Sequence, residues 1–189
     1  IVCLSILLPV KTLADNNNLN INAESAILID GDTGKILYEK SAYEKRAPAS
    51  TTKIMTALLA LEHCKTTDVA TVTSEAITSV PSGYSTDLLK MGEELTIKDL
   101  LYALLLPSSN EAANVLAIHI AGSIDSFASM MNTKAMDLGC KNTHFVNPNG
   151  VHDDNHYSTA YDLSLIAKEA MKNDIFRQIV STASYTLPN

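Results

Sequence analysis

Residues 50–61 read Ser-Thr-Thr-Lys-Ile-Met-Thr-Ala-Leu-Leu-Ala-Leu. The apolar run after Lys53 predicts a buried, central helix from Ser50 to about Cys64. A serine and a lysine three residues apart share one face of such a helix, with the hydroxyl at the positive end of the helix dipole. Desolvation lowers the pKa of a lysine, and a base in contact activates a weak nucleophile. Ser50 and Lys53 are therefore a candidate nucleophile–base pair, although chance supplies about one such spacing in a chain of this size.

The composition limits the class of protein. The chain has 189 residues, of which 46% are hydrophobic and 19% are charged, values typical of one globular domain or part of a larger one. The net charge of -7 and the pI near 5.1, without any basic run, argue against nucleic acid as a partner.

The first residues have the pattern of an export signal. Residues 1–10 are mostly apolar. Thr12-Leu13-Ala14 then resembles the small-residue segment at which a signal peptide is cleaved, and a polar stretch with three asparagines follows. This pattern is typical of the end of a secretory signal peptide; a buried strand or short core helix is the alternative. We expect residues 1–14 to be a truncated signal peptide, residues 15–22 to be a linker, and the protein to be exported.

The rest of the chain predicts a hairpin followed by a helical lobe, an α+β fold class. Residues 25–30 and 35–39 flank a turn and are typical of a β-hairpin. A hairpin is marginally stable by itself, so we expect it to belong to an antiparallel sheet with more strands than this sequence supplies. Capping and stop signals predict the other elements: helices at 96–106, 110–121, 124–138 and 159–172, strands at 69–73 and 184–187, and loops at 80–84 and 147–156.

Ser108-Ser109-Asn110 falls between two of these helices, directly after Leu104-Leu105-Leu106-Pro107. A polar triplet at that point can project a hydroxyl and an amide into a cleft. The alternative is structural, because serine often caps a helix N-terminus. Taken alone, the triplet favours a cap formed by Ser108 or Ser109.

Neither the cysteines nor the histidines form a specific metal motif. Cys64 and Cys140 could pair in an oxidising compartment, but their spacing is not typical of a disulfide framework or a zinc site, so we expect two buried or partly buried thiols. Three histidines lie near two aspartates in the sequence: His144, His152, Asp153, Asp154 and His156. We expect this segment to be a polar loop. The alternatives are a metal site, or a role of His152 or His156 in shaping a substrate pocket.

Ser-x-x-Lys followed by Ser-x-Asn is the first part of the signature of penicillin-recognising enzymes, which Lys-Thr-Gly completes. Four segments in order resemble the low-molecular-mass penicillin-binding proteins that are D-alanyl-D-alanine carboxypeptidases, peptidase family S11: residues 46–56, 92–113, 145–150 and 156–163. The resemblance extends from about residue 23 to residue 189. It implies the serine β-lactamase/DD-peptidase-like (transpeptidase) fold.

The resemblance also implies roles for four residues and a substrate, a peptidoglycan pentapeptide ending in D-Ala-D-Ala. Ser50 would be the nucleophile and Lys53 its general base. Ser108 would relay a proton to the leaving D-alanine, and Asn110 would bind the substrate amide and orient Lys53. The backbone N–H of Ser50 would be half of an oxyanion hole. β-Lactams would acylate Ser50, no cofactor or metal would be needed, and the enzyme would act at the outer face of the bacterial cytoplasmic membrane or in the cell wall.

This sequence contains no Lys-Thr-Gly. The resemblance places that strand beyond Asn189, together with a C-terminal region through which family members often associate with the membrane. We therefore expect residues 23–189 to be an N-terminal fragment of the catalytic domain, inactive without the Lys-Thr-Gly strand region.

Two other functions fit part of the pattern. A class A β-lactamase shares both motifs, but no convincing Glu-x-x-x-Asn arrangement follows Asn110. A non-catalytic peptidoglycan-binding protein could retain the scaffold, but it would not need both Ser50 and Lys53.

Overall fold

The computed structural model describes residues 20–86 and 88–188. The predicted signal peptide and most of the predicted linker lie outside these residues. The described chain forms a hairpin that packs on a helical lobe, which confirms the predicted α+β arrangement.

The hairpin consists of β1 (Ala26–Ile29) and β2 (Ile36–Lys40), which pair antiparallel. Its turn is closed by Asp30, whose side chain accepts hydrogen bonds from the backbone N–H and the hydroxyl of Thr33. Gly34 has a φ of +73°, a conformation that glycine adopts without a steric cost. One strand of the hairpin, β1, packs on α6 (Ala160–Ala170) of the helical lobe.

The central element of the lobe is α1 (Lys53–His63), which packs mainly on α3 (Ile97–Leu105), α4 (Asn110–Ala121) and α6. Every residue of α1 from Met55 to Ala60 is buried, as the apolar run predicts. The helix does not begin at Ser50, because a 3-10 turn, Ala49–Thr52, precedes it. Ala49 has a φ of +47°, outside the helical region.

The other predicted helices are confirmed, and their ends follow from local chemistry. Thr96 and Asp99 form a reciprocal capping box at the start of α3. Gly122, with a φ of +79°, ends α4. The next helix, α5 (Ile124–Asp137), is capped by Ser123, and α6 is capped by Thr159.

Three short elements were not expected from the sequence: α2 (Ser74–Thr78), β4 (Glu94–Thr96) and α7 (Asp174–Val180). β4 pairs antiparallel with β3 (Val69–Thr71), which is shorter than the predicted strand.

The predicted strand at 184–187 is wrong, since this part of the described chain forms no strand. The segment packs on α3 instead. The ring of Tyr185 stacks on Tyr102 with centroids 3.7 Å apart, and its hydroxyl donates to Asp99 at 2.6 Å. Within residues 20–86 and 88–188, none of the helices has the length and apolar character needed to cross a membrane.

The capping box gives a stability prediction. Replacing Thr96 by Ala removes the acceptor for the Asp99 N–H and should lower the free energy of unfolding by about 1 kcal/mol. Thr96→Ser keeps the hydroxyl, so its free energy of unfolding should stay within a few tenths of a kcal/mol of the wild-type value. Urea unfolding measures both, and equal stability of the two variants would contradict this role of the cap.

Candidate active site

The site is built around the amine of Lys53, which lies 3.1 Å from the hydroxyl of Ser50. Lys53 is 2% exposed, whereas Ser50 is exposed at the protein surface. Burial lowers the pKa of Lys53 to about 8, although the charge of Glu111 acts in the opposite direction. The pair therefore joins a solvent-accessible hydroxyl to a buried amine whose neutral form is populated near neutral pH.

Two further oxygens contact the Lys53 amine. Asn110 Oδ1 and the backbone carbonyl of Asn149 each accept a hydrogen bond from Nζ at 2.7 Å. The orientation of the Asn110 amide follows from its Nδ2, which donates to the carbonyl of Tyr84 at 2.7 Å. Both carbonyl partners can only accept, whereas the Ser50 hydroxyl can donate or accept. A neutral Lys53 would thus keep two N–H bonds to carbonyls and present its lone pair to Ser50.

The 3-10 turn Ala49–Thr52, called the Ser50 turn below, lies directly against the turn at residues 147–150. A Cβ at Gly150 would lie 1.9 Å from the carbonyl oxygen of Ala49. Gly150 therefore allows the two backbones to approach each other next to Ser50. On α1, the Thr56 hydroxyl donates to the carbonyl of Pro148 at 2.6 Å. The turn was predicted from the sequence, but its contact with the Ser50 turn was not.

The three residues of Ser108-Ser109-Asn110 have different contacts in the structure. Ser109 caps α4 by accepting a hydrogen bond from the Ala112 N–H at 3.2 Å. Asn110 reaches Lys53. Ser108 is half-buried with a φ of +64°, and no residue of the described chain hydrogen-bonds to its hydroxyl. The structure thus brings Ser50, Lys53 and Asn110 into one hydrogen-bonded group, and Ser108 stands outside that group.

Glu111 is a buried carboxylate that sequence reasoning missed. It is 1% exposed and accepts hydrogen bonds from Thr86, Ser109 and Ser85. Burial alone would raise the pKa of Glu111, but hydrogen bonds led by that from Ser85 lower it overall. The carboxylate therefore anchors the segment that carries the Tyr84 carbonyl. Its position in the first turn of α4 gave no signal of this burial, because an acidic residue is favourable at a helix N-terminus whether it is buried or exposed.

Two buried asparagines support the Asn149 carbonyl. Asn149 Nδ2 donates to Asn114 Oδ1 at 3.0 Å, and Asn114 Nδ2 donates to the carbonyl of Ala76 at 3.0 Å. Asn149 Oδ1 also accepts the N–H of Val151 at 2.8 Å. Because every polar group of this chain of contacts is paired, the position of the carbonyl that receives Lys53 is fixed.

The remaining polar candidates are placed differently. Cys64 is partly buried and Cys140 is buried, both as free thiols, as expected. Both ring nitrogens of His156 have protein partners, Thr52 and the Val146 N–H. In residues 20–86 and 88–188, no three His, Cys, Asp or Glu side chains are arranged to hold a metal ion.

The close approach at Gly150 gives a second stability prediction. Gly150→Ala adds a Cβ that overlaps the Ala49 carbonyl, at a position where φ is +86°. Gly122→Ala is the matched control, because its φ is +79° and nothing lies within 4 Å of the added Cβ. The control should cost about 1–2 kcal/mol of stability from its backbone conformation alone.

Gly150→Ala should cost at least about 1 kcal/mol more than this control, because overpacking adds to the strain. Urea unfolding of both variants measures the difference. Equal losses would mean that the two turns do not approach each other as described.

Comparisons with known proteins agree with this geometry. The family model for peptidase S11, D-alanyl-D-alanine carboxypeptidase, matches residues 11–187. The chain is 44% identical over 165 residues to the D-alanyl-D-alanine carboxypeptidase DacF of Bacillus subtilis (strain 168), covering 85% of this chain and 42% of that protein. It is 39% identical over 175 residues to the D-alanyl-D-alanine carboxypeptidase of Streptomyces sp. (strain K15), covering 88% and 60%.

Solved structures give the same result. The crystal structure of the Streptomyces K15 DD-transpeptidase matches with a TM-score of 0.82 and 37% identity, over 87% of this chain and 66% of that one. Penicillin binding protein 6B from Escherichia coli matches with a TM-score of 0.81 and 33% identity, over 87% of this chain and 55% of that one. These matches confirm the predicted DD-peptidase-like fold. The chain spans about half the length of the curated relatives described above, and it belongs to the peptidase S11 family of D-alanyl-D-alanine carboxypeptidases.

Proposed function

We propose that the protein is a serine-type D-Ala-D-Ala carboxypeptidase that removes the terminal D-alanine from peptidoglycan stem peptides. The observation that carries this proposal is the environment of Lys53, a buried amine in contact with the exposed hydroxyl of Ser50 and with two oxygens that can only accept. A non-catalytic binding protein would have no use for a lysine held in this state.

In the proposed reaction, the lone pair of Lys53 accepts the proton of Ser50 as Oγ attacks the carbonyl of the penultimate D-alanine. The peptide C–N bond then breaks, the terminal D-alanine leaves with a proton, and the shortened peptide is bound to Ser50 as an ester. Water hydrolyses the ester and restores the hydroxyl. Lys53 takes up one proton and gives it back in each half-reaction, so the cycle is balanced.

The other residues have supporting roles in this proposal. The Ser108 hydroxyl, which no described residue engages, would relay the proton to the leaving D-alanine. Asn110 orients Lys53, and its Oδ1 has a second lone pair for a substrate N–H, since a carbonyl oxygen can accept twice. The backbone N–H of Ser50 would stabilise the oxyanion. A Lys-Thr-Gly strand would supply the opposite wall in the complete gene product.

The reaction is proposed to take place outside the cytoplasmic membrane, because peptidoglycan is found there. The export pattern in residues 1–14 supports the same location. β-Lactams would react as analogues of the D-Ala-D-Ala dipeptide and leave an acyl group on Ser50.

The proposal is tested by labelling the complete gene product with a fluorescent penicillin and by following D-alanine release from an acyl-D-Ala-D-Ala peptide. Wild type should form a long-lived labelled adduct and release D-alanine, and Ser50→Ala should do neither. Ser129→Ala, on the exposed face of α5, is the control and should behave as wild type. Rapid turnover of the penicillin would favour a β-lactamase, and an unlabelled, inactive wild type would favour a binding protein.

The lowered pKa of Lys53 predicts the pH dependence of acylation. Below the pKa of about 8, the neutral amine is the minor form, so the rate of labelling should rise about tenfold for each pH unit. It should level off above that pKa. Lys53→Arg keeps the positive charge but cannot deprotonate, so it should be acylated far more slowly at every pH. A wild-type rate that is flat between about pH 6 and 9 would exclude Lys53 as the base.

A further inference from the structure

Thr52 lies between the proposed nucleophile and base in the sequence, but its hydroxyl pairs with His156 and not with either of them. It is 0% exposed, and its Oγ1 lies 2.8 Å from Nε2 of His156. His156 is 2% exposed and comes from a segment 104 residues later in the chain. A buried polar pair between such distant segments fixes their relative position, because neither group can exchange its partner for water.

The hydrogen-bond pattern defines the direction of this contact. The backbone N–H of Val146 donates to His156 Nδ1 at 3.1 Å, so Nδ1 carries no proton. The neutral ring must then hold its proton on Nε2 and donate it to Thr52 Oγ1. Burial lowers the pKa of His156 to about 4, which keeps the ring neutral. Phe145 packs against the ring in an edge-to-face arrangement, with centroids 5.5 Å apart.

A second attachment joins the same segment to the chain before Ser50. The backbone groups of Ser158 and Arg46 exchange two hydrogen bonds, of 2.8 and 2.9 Å. The segment that carries His156 and Ser158 is thus bound on both sides of Ser50, at Arg46 and at Thr52. The Ser50 turn is held between these two attachments.

We propose that His156 is a positioning residue for acylation, which acts through its hydrogen bond to Thr52 to hold the 3-10 turn so that Ser50 stays in contact with Lys53. This inference rests on the proposed function. The ring of His156 hydrogen-bonds to Thr52 and Val146 and not to the Ser50 hydroxyl or the Lys53 amine. It would therefore change the rate of acylation only indirectly, through the position of Ser50. A purely structural histidine would affect stability without a separate effect on that rate.

Four substitutions separate the two hydrogen bonds of His156. The amide of Gln can reach the position of Nε2 and donate to Thr52, whereas the shorter Asn can reach only the position of Nδ1 and accept from Val146. Thr52→Val removes the acceptor with little change of shape, and Thr52→Ser retains it. His156→Gln and Thr52→Ser are therefore the conservative counterparts of His156→Asn and Thr52→Val.

The experiment measures the second-order rate of labelling by a fluorescent penicillin in the complete gene product, with urea unfolding of each variant alongside. His156→Asn and Thr52→Val should each acylate at least about tenfold more slowly, and the double variant should be no slower than either, since both remove one interaction. His156→Gln and Thr52→Ser should recover most of the wild-type rate. Wild-type rates in His156→Asn and Thr52→Val, multiplicative losses in the double variant, or rates that simply follow stability would overturn the proposal.

A second measurement does not depend on acylation. Nitrogen NMR of the imidazole should show His156 in its neutral form with the proton on Nε2, and Thr52→Val should shift that resonance. A proton on Nδ1 would overturn the proposal even if the protein binds penicillin normally. An unlabelled wild type with the Nε2–H form would instead contradict the proposed function and leave this contact established.

Discussion

The burial of one lysine amine is the constraint on which the rest of the site depends. An ammonium group removed from water is stable only if every N–H has an acceptor, and Lys53 has three in Ser50, Asn110 and Asn149. Two of them are carbonyl oxygens that other side chains hold in place. Of these three described partners, Ser50 alone can give up a proton. The same arrangement thus satisfies the charged form of the lysine and selects the residue from which its neutral form takes a proton.

Three separate parts of the fold deliver these acceptors, and each is fixed by its own buried contacts. Glu111 anchors the segment whose Tyr84 carbonyl orients the Asn110 amide. Asn114 holds Asn149 from α4. Gly150 lets the turn that carries the Asn149 carbonyl lie against the Ser50 turn. The result is a preorganised site, in which side chains are held in place before substrate binds.

The sequence predicted the elements better than the contacts between them. The apolar run after Lys53 predicted a buried α1, because a helix that is buried on every face has apolar residues at nearly every position. Asn110 could be placed beside Lys53 only through resemblance, because the two residues are 57 positions apart. Glu111 and Asn149 were missed, since nothing local shows that a polar residue in a turn or a first helical turn is buried. The strand at 184–187 was predicted from a local pattern, but a strand also requires a partner, and Tyr185 packs on α3 instead.

The central claim is that the pKa of the Lys53 amine is lowered by burial, and this pKa can be measured without substrate. Lysines labelled at the ε position in the complete gene product can be titrated by NMR, and the signal that disappears in Lys53→Arg identifies this amine. Its midpoint should lie near the pKa of about 8 that burial imposes. A midpoint at the ordinary lysine value of about 10.4 would contradict the account, because the amine would then be solvated and too seldom neutral to accept the proton of Ser50.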